Sequence, residues 1–190
     1  CTATSTAYHV KGELKDSTFD GRTIYIIQRD NHAKIDSTRI EGNRFSFNGK
    51  IDTAVCCEVS VDKNIYAFFI LENGTISLDL YGHVFPQGSP MNEQITDINK
   101  TADSLQNIFT AQLDSLIDAY WKKNGIEPPQ NGDREIPQEV LYEQLPSIVA
   151  HINLIEDSIC REILSRHNND ALGQYLIMYS YIYPTDIDKQ

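Results

Sequence analysis

Residues 35–79 read IDSTRIEGNRFSFNGKIDTAVCCEVSVDKNIYAFFILENGTISLD, and their pattern decides the fold. Apolar and polar side chains alternate through most of the stretch. Ile40, Phe45, Phe47 and Ile51 fall on one side of it, and Glu41, Arg44, Ser46 and Lys50 on the other. Successive strand side chains point to opposite faces, so a period of two marks strands with one buried face. Glu41-Gly42-Asn43-Arg44 predicts a hairpin turn. Asn73-Gly74 predicts a stronger one, because Asn and Gly tolerate the positive φ that a two-residue turn demands.

Working outward, alternation, or in 23–28 a β-branched and aromatic run, predicts strands over 8–14, 23–28, 35–41, 44–51, 55–61, 65–72 and 75–81. Short strands at a spacing of roughly ten residues, joined by tight turns, indicate an antiparallel sandwich or open barrel. After Pro90 the period changes. Ile95, Ile98, Ala102, Leu105, Phe109, Leu113, Leu116 and Tyr120 recur every three or four residues, with Asp97, Lys100, Asp103, Asp114 and Asp118 opposite. This is one long amphipathic helix, with Ser89 as its N-cap and Gly125 as its stop signal. Residues 126–137 are rich in Pro, Gly, Asn and Gln and read as a loop. A second helix follows from about 138 to 167, its stripe formed by Ile148, Ile152, Ile155, Ile159 and Ile163, with a kink expected just before Pro146. A third covers 171–183, with Leu172, Tyr175, Leu176 and Tyr179 on its apolar face. The predicted class is therefore α+β. Residues 1–7 form a spacer, 8–88 an antiparallel β-domain of about seven strands, and 89–190 a helical connector of about three helices. Because it turns outward at Pro184, that connector is expected to lead into a further domain.

Across its 190 residues the chain carries a net charge of −11, which argues against nucleic acid and anionic lipid surfaces as partners. It holds no run of 18 apolar residues of the kind that spans a bilayer. The cysteines are Cys1, Cys56, Cys57 and Cys160, with neither a C-x-x-C pair nor zinc spacing among them. Cys1 precedes a run of Thr, Ala and Ser through Ala7, as in a mature bacterial lipoprotein whose lipid sits on the first Cys. Cys1 is accordingly the expected lipid-attachment residue, and the expected location is the periplasm or an outer-membrane-anchored form, with membrane contact through the N-terminal lipid only.

Several short patterns occur in order: Tyr8-x-Val10-x-Gly12; Asp20-Gly21-x-x-Ile24-Tyr25-Ile26; Asp36-Ser37-x-x-Ile40-x-Gly42, then Phe45-x-Phe47-x-Gly49; Phe69-Ile70-Leu71-Glu72-x-Gly74-x-Ile76; and Gly88-Ser89-x-x-Asn92. Together they resemble the uncharacterised N-terminal β-domain of Gram-negative thiol:disulfide oxidoreductase lipoproteins. In that family a lipidated Cys, this β-domain and a helical connector precede a thioredoxin-like domain. The resemblance implies a non-catalytic module that positions the thioredoxin-like domain, binds a protein partner or forms a homodimer. Oxidoreductase activity would then reside only in the thioredoxin-like domain, whose C-x-x-C has no counterpart here. The alternative is a stand-alone envelope lipoprotein that binds a small ligand or a protein partner.

The residues themselves nominate no catalytic group, no cofactor site and no metal site. His9, His32, His83, His151 and His167 are scattered, without the spacing of a zinc site. Ser37 has no His partner by spacing, and no G-x-S-x-G occurs. Glu156-Asp157 and Glu139-x-x-x-Glu143 read as solvated helix faces. Adjacent strand cysteines point to opposite faces, so Cys57 joins Val55, Val59 and Val61, while Cys56 joins Glu58 and Ser60 on the more polar face. A disulfide from Cys160 to Cys56 or to Cys57 remains open. Asp16-Ser17-Thr18, Asp36-Ser37-Thr38, Asp52-Thr53-Ala54 and Asp103-Ser104-Leu105 resemble the three-residue O-glycan acceptor of some exported Gram-negative proteins. Asn73-Gly74-Thr75 fits the N-glycan pattern, although its turn role explains it better.

Overall fold

The computed structural model describes residues 6–15, 17–62, 64–80, 85–127 and 135–179, apart from the side chains of Ile65, Tyr66 and Tyr179. Seven strands come first: β1 (Tyr8–Glu13), β2 (Thr23–Gln28), β3 (Lys34–Arg39), β4 (Arg44–Gly49), β5 (Val55–Val61), β6 (Asn64–Leu71) and β7 (Gly74–Asp79). Three helices follow: α1 (Pro90–Asn124), α2 (Leu145–Arg166) and α3 (Ala171–Tyr179). The class is α+β. The strands form two sheets, ordered β4-β1-β7 and β3-β2-β5-β6, and neither closes into a barrel.

The alternation does its work between the sheets. Val10, Phe45, Phe47, Ile76 and Leu78 from one sheet meet Ile24, Ile26, Cys57, Val59, Val61, Phe69 and Leu71 from the other in a single core. Each of these side chains is at most 4% exposed, and full burial of a large apolar side chain is worth about 1.5–3 kcal/mol. All ladders but one are antiparallel. β1 lies between β4 and β7 and runs parallel to β7, from Tyr8 opposite Gly74 to Glu13 opposite Asp79. A parallel pair needs a long connection, and here the chain passes through the second sheet before it returns.

The predicted turns separate into two outcomes. At Glu41–Arg44, Gly42 and Asn43 have φ of 59° and 65°, and Glu41 and Arg44 exchange N–H···O bonds of 2.9 and 3.1 Å. That is the geometry of a primed two-residue turn, yet the strands it joins belong to different sheets. Asn73-Gly74 is not a hairpin turn. It carries the chain from β6 in one sheet to β7 in the other, and Gly74 has φ of 145°, outside the range such a turn uses. Asn73 spends its amide on Ile51 instead, accepting from the Ile51 N–H at 3.2 Å and donating to its carbonyl at 2.7 Å.

By internal contacts, residues 1–99 with 163–190 form one compact unit and residues 100–162 a second. In the first, α3 packs on β5 and β6. In the second, Ile117 and Trp121 of α1 are buried with Val140. α1 ends where Gly125 adopts φ of 63° and the Ile126 N–H reaches back to the Trp121 carbonyl at 3.0 Å, closing a Schellman motif. Along α1, Leu105 is buried, while Ile98, Phe109 and Leu116 are only half-covered; Asp97, Lys100, Asp103, Asp114 and Asp118 face solvent. The irregularity expected before Pro146 is a π-helical stretch at Val140–Gln144. Proline has no N–H to give to the carbonyl four residues back, and a wider turn absorbs that defect.

Candidate functional site

Cys1, the expected lipid-attachment residue, and His83 lie outside the described residues, as do residues 128–134 and 180–190. The other three thiols can be placed. Cys56, Cys57 and Cys160 are all free. Cys57 lies in the sandwich core at 1% exposure, as its alternation with Val59 and Val61 predicts. Cys56 departs from expectation. It shares its face of β5 with Glu58 and Ser60, but α3 covers that face, and the Cys56 Sγ donates to the Ala171 carbonyl at 3.0 Å. Burial pushes both thiols up to about 12, where the thiolate needed for redox chemistry is scarce at neutral pH. Cys160 on α2 is half-buried, and it too is raised, by burial and then by Asp157 and Glu156.

The covered face of β5 holds a buried ion pair. Glu58 is only 5% exposed, and the Arg29 guanidinium at the end of β2 donates to its carboxylate. The same guanidinium lies 5.1 Å from the centre of the Phe68 ring. Burying a carboxylate costs several kcal/mol unless an ion partner and hydrogen bonds accompany it, and Arg29 supplies both. Beside this pair Gln28, Asp30, Cys56, Gln174, Ile177 and Met178 line a cleft of about 190 Å³. Ile177 and Met178 are 37% and 42% exposed at its rim. The cleft is mostly apolar, and its one thiol, Cys56, donates to the Ala171 carbonyl rather than to a base. The burial of Glu58 was not legible from alternation, which reads a charged residue as outward-facing; only the amphipathic pattern of α3 hinted that this face would be covered.

The described histidines do not converge. His9 meets Asn48 Oδ1 at 2.5 Å, and His32 and His151 are exposed. His167 contacts the carboxylate of Asp170 at 2.6 Å, while Asp170 Oδ1 caps α3 by accepting the Leu172 and Gly173 N–H groups at 3.0 Å. These hydrogen bonds hold the Asp170 carboxyl below its usual range against the opposing effect of burial. Among the described residues no cluster of three or more His, Cys, Asp or Glu could hold a metal, and no described helix is long and apolar enough to cross a membrane.

The short sequence patterns acquire structural meaning. Tyr8 lies across Gly49 and Phe45 across Gly12 on neighbouring strands, and a Cβ at either glycine would stand 2.2–2.3 Å from the ring or hydroxyl atoms. The Tyr8 hydroxyl donates to Asp36 on the opposite sheet at 2.9 Å. Asp20 accepts the Gly42 N–H at 2.8 Å, and the Gly21 N–H bonds the Ile40 carbonyl at 2.8 Å, so two patterns build one corner. Asn92, fully buried, accepts from the Ile70 N–H at 2.9 Å and donates to the Ile70 carbonyl and to Ser89 Oγ at 2.7 Å each. It satisfies the outer edge of β6 as a neighbouring strand would.

Fold and site together define a two-sheet β-module with helices, its distinctive polar residues spent on its own corners and edges. Residues 8–95 match the family described as a domain of unknown function, DUF4369. No curated protein matches the chain.

Proposed function

We propose that this chain is the non-catalytic N-terminal module of a lipid-anchored envelope thiol:disulfide oxidoreductase. In this reading Cys1 carries the lipid, and the module positions a thioredoxin-like domain, engages its protein partner or pairs with a second copy. One observation carries the proposal: the thiols of the β-module are buried and protonated, while its characteristic residues serve sheet corners, glycine-backed aromatics and strand-edge caps. Such a module supports chemistry done elsewhere in a chain. The apolar cleft rimmed by Ile177 and Met178 favours a second reading, a stand-alone envelope lipoprotein that binds a small ligand.

The genomic reading frame separates the two. Continuation beyond Gln190 into a thioredoxin-like domain with C-x-x-C supports the first, and a stop codon after Gln190 refutes it in favour of the second. In an insulin-reduction assay with dithiothreitol, these 190 residues alone should not exceed the reagent blank. Turnover that vanishes on Cys56→Ser or Cys57→Ser would overturn the non-catalytic assignment.

A further inference from the structure

We propose that Thr53 is an O-glycosylation site, the acceptor that the fold holds outside any described strand or helix. The inference rests on the exported location proposed above. A transferase must draw the acceptor hydroxyl and its flanking residues into its own cleft, so a segment held in a ladder or helix has to be unfolded first. Asp36-Ser37-Thr38 lies within β3, where Ser37 is in register with Tyr25 of β2. The Asp36 carboxylate there already accepts the Tyr8 hydroxyl at 2.9 Å and the Ser37 N–H at 2.7 Å. Asp103-Ser104-Leu105 lies inside α1, with the Ser104 hydroxyl donating to the Lys100 carbonyl at 2.8 Å and Leu105 buried, and the like triplets Asp114-Ser115-Leu116 and Asp157-Ser158-Ile159 lie inside α1 and α2. In Asp16-Ser17-Thr18 both hydroxyl residues belong to the 3-10 turn Ser17–Phe19, where the Ser17 carbonyl accepts the Asp20 N–H at 3.1 Å.

Asp52-Thr53-Ala54 differs from all of these. It lies outside any strand or helix, where the chain crosses from β4 to β5, and both Asp52 and Thr53 are exposed. Its stem is fixed, because Asn73 holds both backbone groups of Ile51. The same contact gives Asn73 a structural role. Its amide donates to the Ile51 carbonyl at 2.7 Å and accepts the Ile51 N–H at 3.2 Å, which commits it to fixing this bend. The fold thus occupies Asn73 and presents Thr53 on an anchored bend.

The donor is a sugar activated as a polyprenyl diphosphate. Thr53 Oγ attacks the anomeric carbon, the new C–O bond forms as the bond to the diphosphate breaks, the diphosphate leaves with that electron pair, and a base of the transferase takes the hydroxyl proton.

The test is glycopeptide mass spectrometry on the full chain isolated from its own host. The peptide containing Thr53 should carry a glycan that is lost in Thr53→Ala and in Asp52→Asn, the latter keeping the hydroxyl, and is retained in Ser37→Ala and Ser104→Ala. A bare Thr53 peptide, or a glycan found instead on Ser37 or Ser104, overturns the inference. The N-terminal peptide of the same digest tells the two readings apart. Acylated Cys1 beside bare Thr53 refutes glycosylation alone, whereas unmodified Cys1 beside bare Thr53 refutes the lipid anchor as well.

Discussion

Cys56 and Cys57 are neighbours in sequence, yet each is buried on a different side of the same strand. Because burial raises both from 9.0 to about 12, the folded chain keeps protons that the unfolded chain releases in that interval. The stability tied to each protonated thiol is fully present below pH 9 and is lost as pH rises toward 12, at no more than about 1.4 kcal/mol per pH unit per thiol. Urea midpoints should therefore fall between pH 8 and pH 10. The fall should be smaller in the Cys56→Ala/Cys57→Ala variant, even though that variant starts less stable. Alkylation of the native protein at pH 8, mapped by mass spectrometry, should label half-buried Cys160 before either of the others. Equal labelling of Cys56 and Cys160 would mean that α3 does not cover β5 in solution.

Among the elements, the edge of β6 shows how far a single side chain can act. Asn92→Ala leaves the Ile70 N–H and carbonyl buried without the amide that serves them, at roughly 1–3 kcal/mol for each unsatisfied group. A loss of at least about 2 kcal/mol in urea unfolding is expected, and a loss no larger than that of a surface substitution would contradict the strand-edge role. Phe47→Ala and Leu105→Ala should each cost about 2–5 kcal/mol, whereas Asp103→Ala on the exposed face should cost about 0.5 kcal/mol or less. Strand positions were legible in the sequence from the period of two, as in Arg44–Gly49, or from β-branched and aromatic runs, as in Thr23–Gln28. Sheet membership was not. Asn73-Gly74 has the composition of a hairpin turn, and only the contact of Asn73 with Ile51, 22 residues away, shows that the chain changes sheets there. The covering of Cys56 was equally hidden, since it depends on a helix 115 residues further along.

For the molecule as a whole, the two compact units have separate cores. Joining Asn99 to Ile163 through a glycine-serine linker in place of residues 100–162 should leave a protein that unfolds cooperatively and still shields Cys56 from alkylation; a molten product would show that the β-module depends on the excised helices. The position of β1 has a further consequence, for biosynthesis. Tyr8–Glu13 is made before the other six strands, but one of its two neighbours, Gly74–Asp79, follows only after five of them. Closing so long a loop is slow, so β1 must wait, half-paired at best, while the later strands arrive. A nascent chain that stalls before residue 79 leaves the middle strand of that sheet with an open side, ready to pair with another molecule, and the interval between synthesis of the first strand and the seventh is when this protein most needs a chaperone.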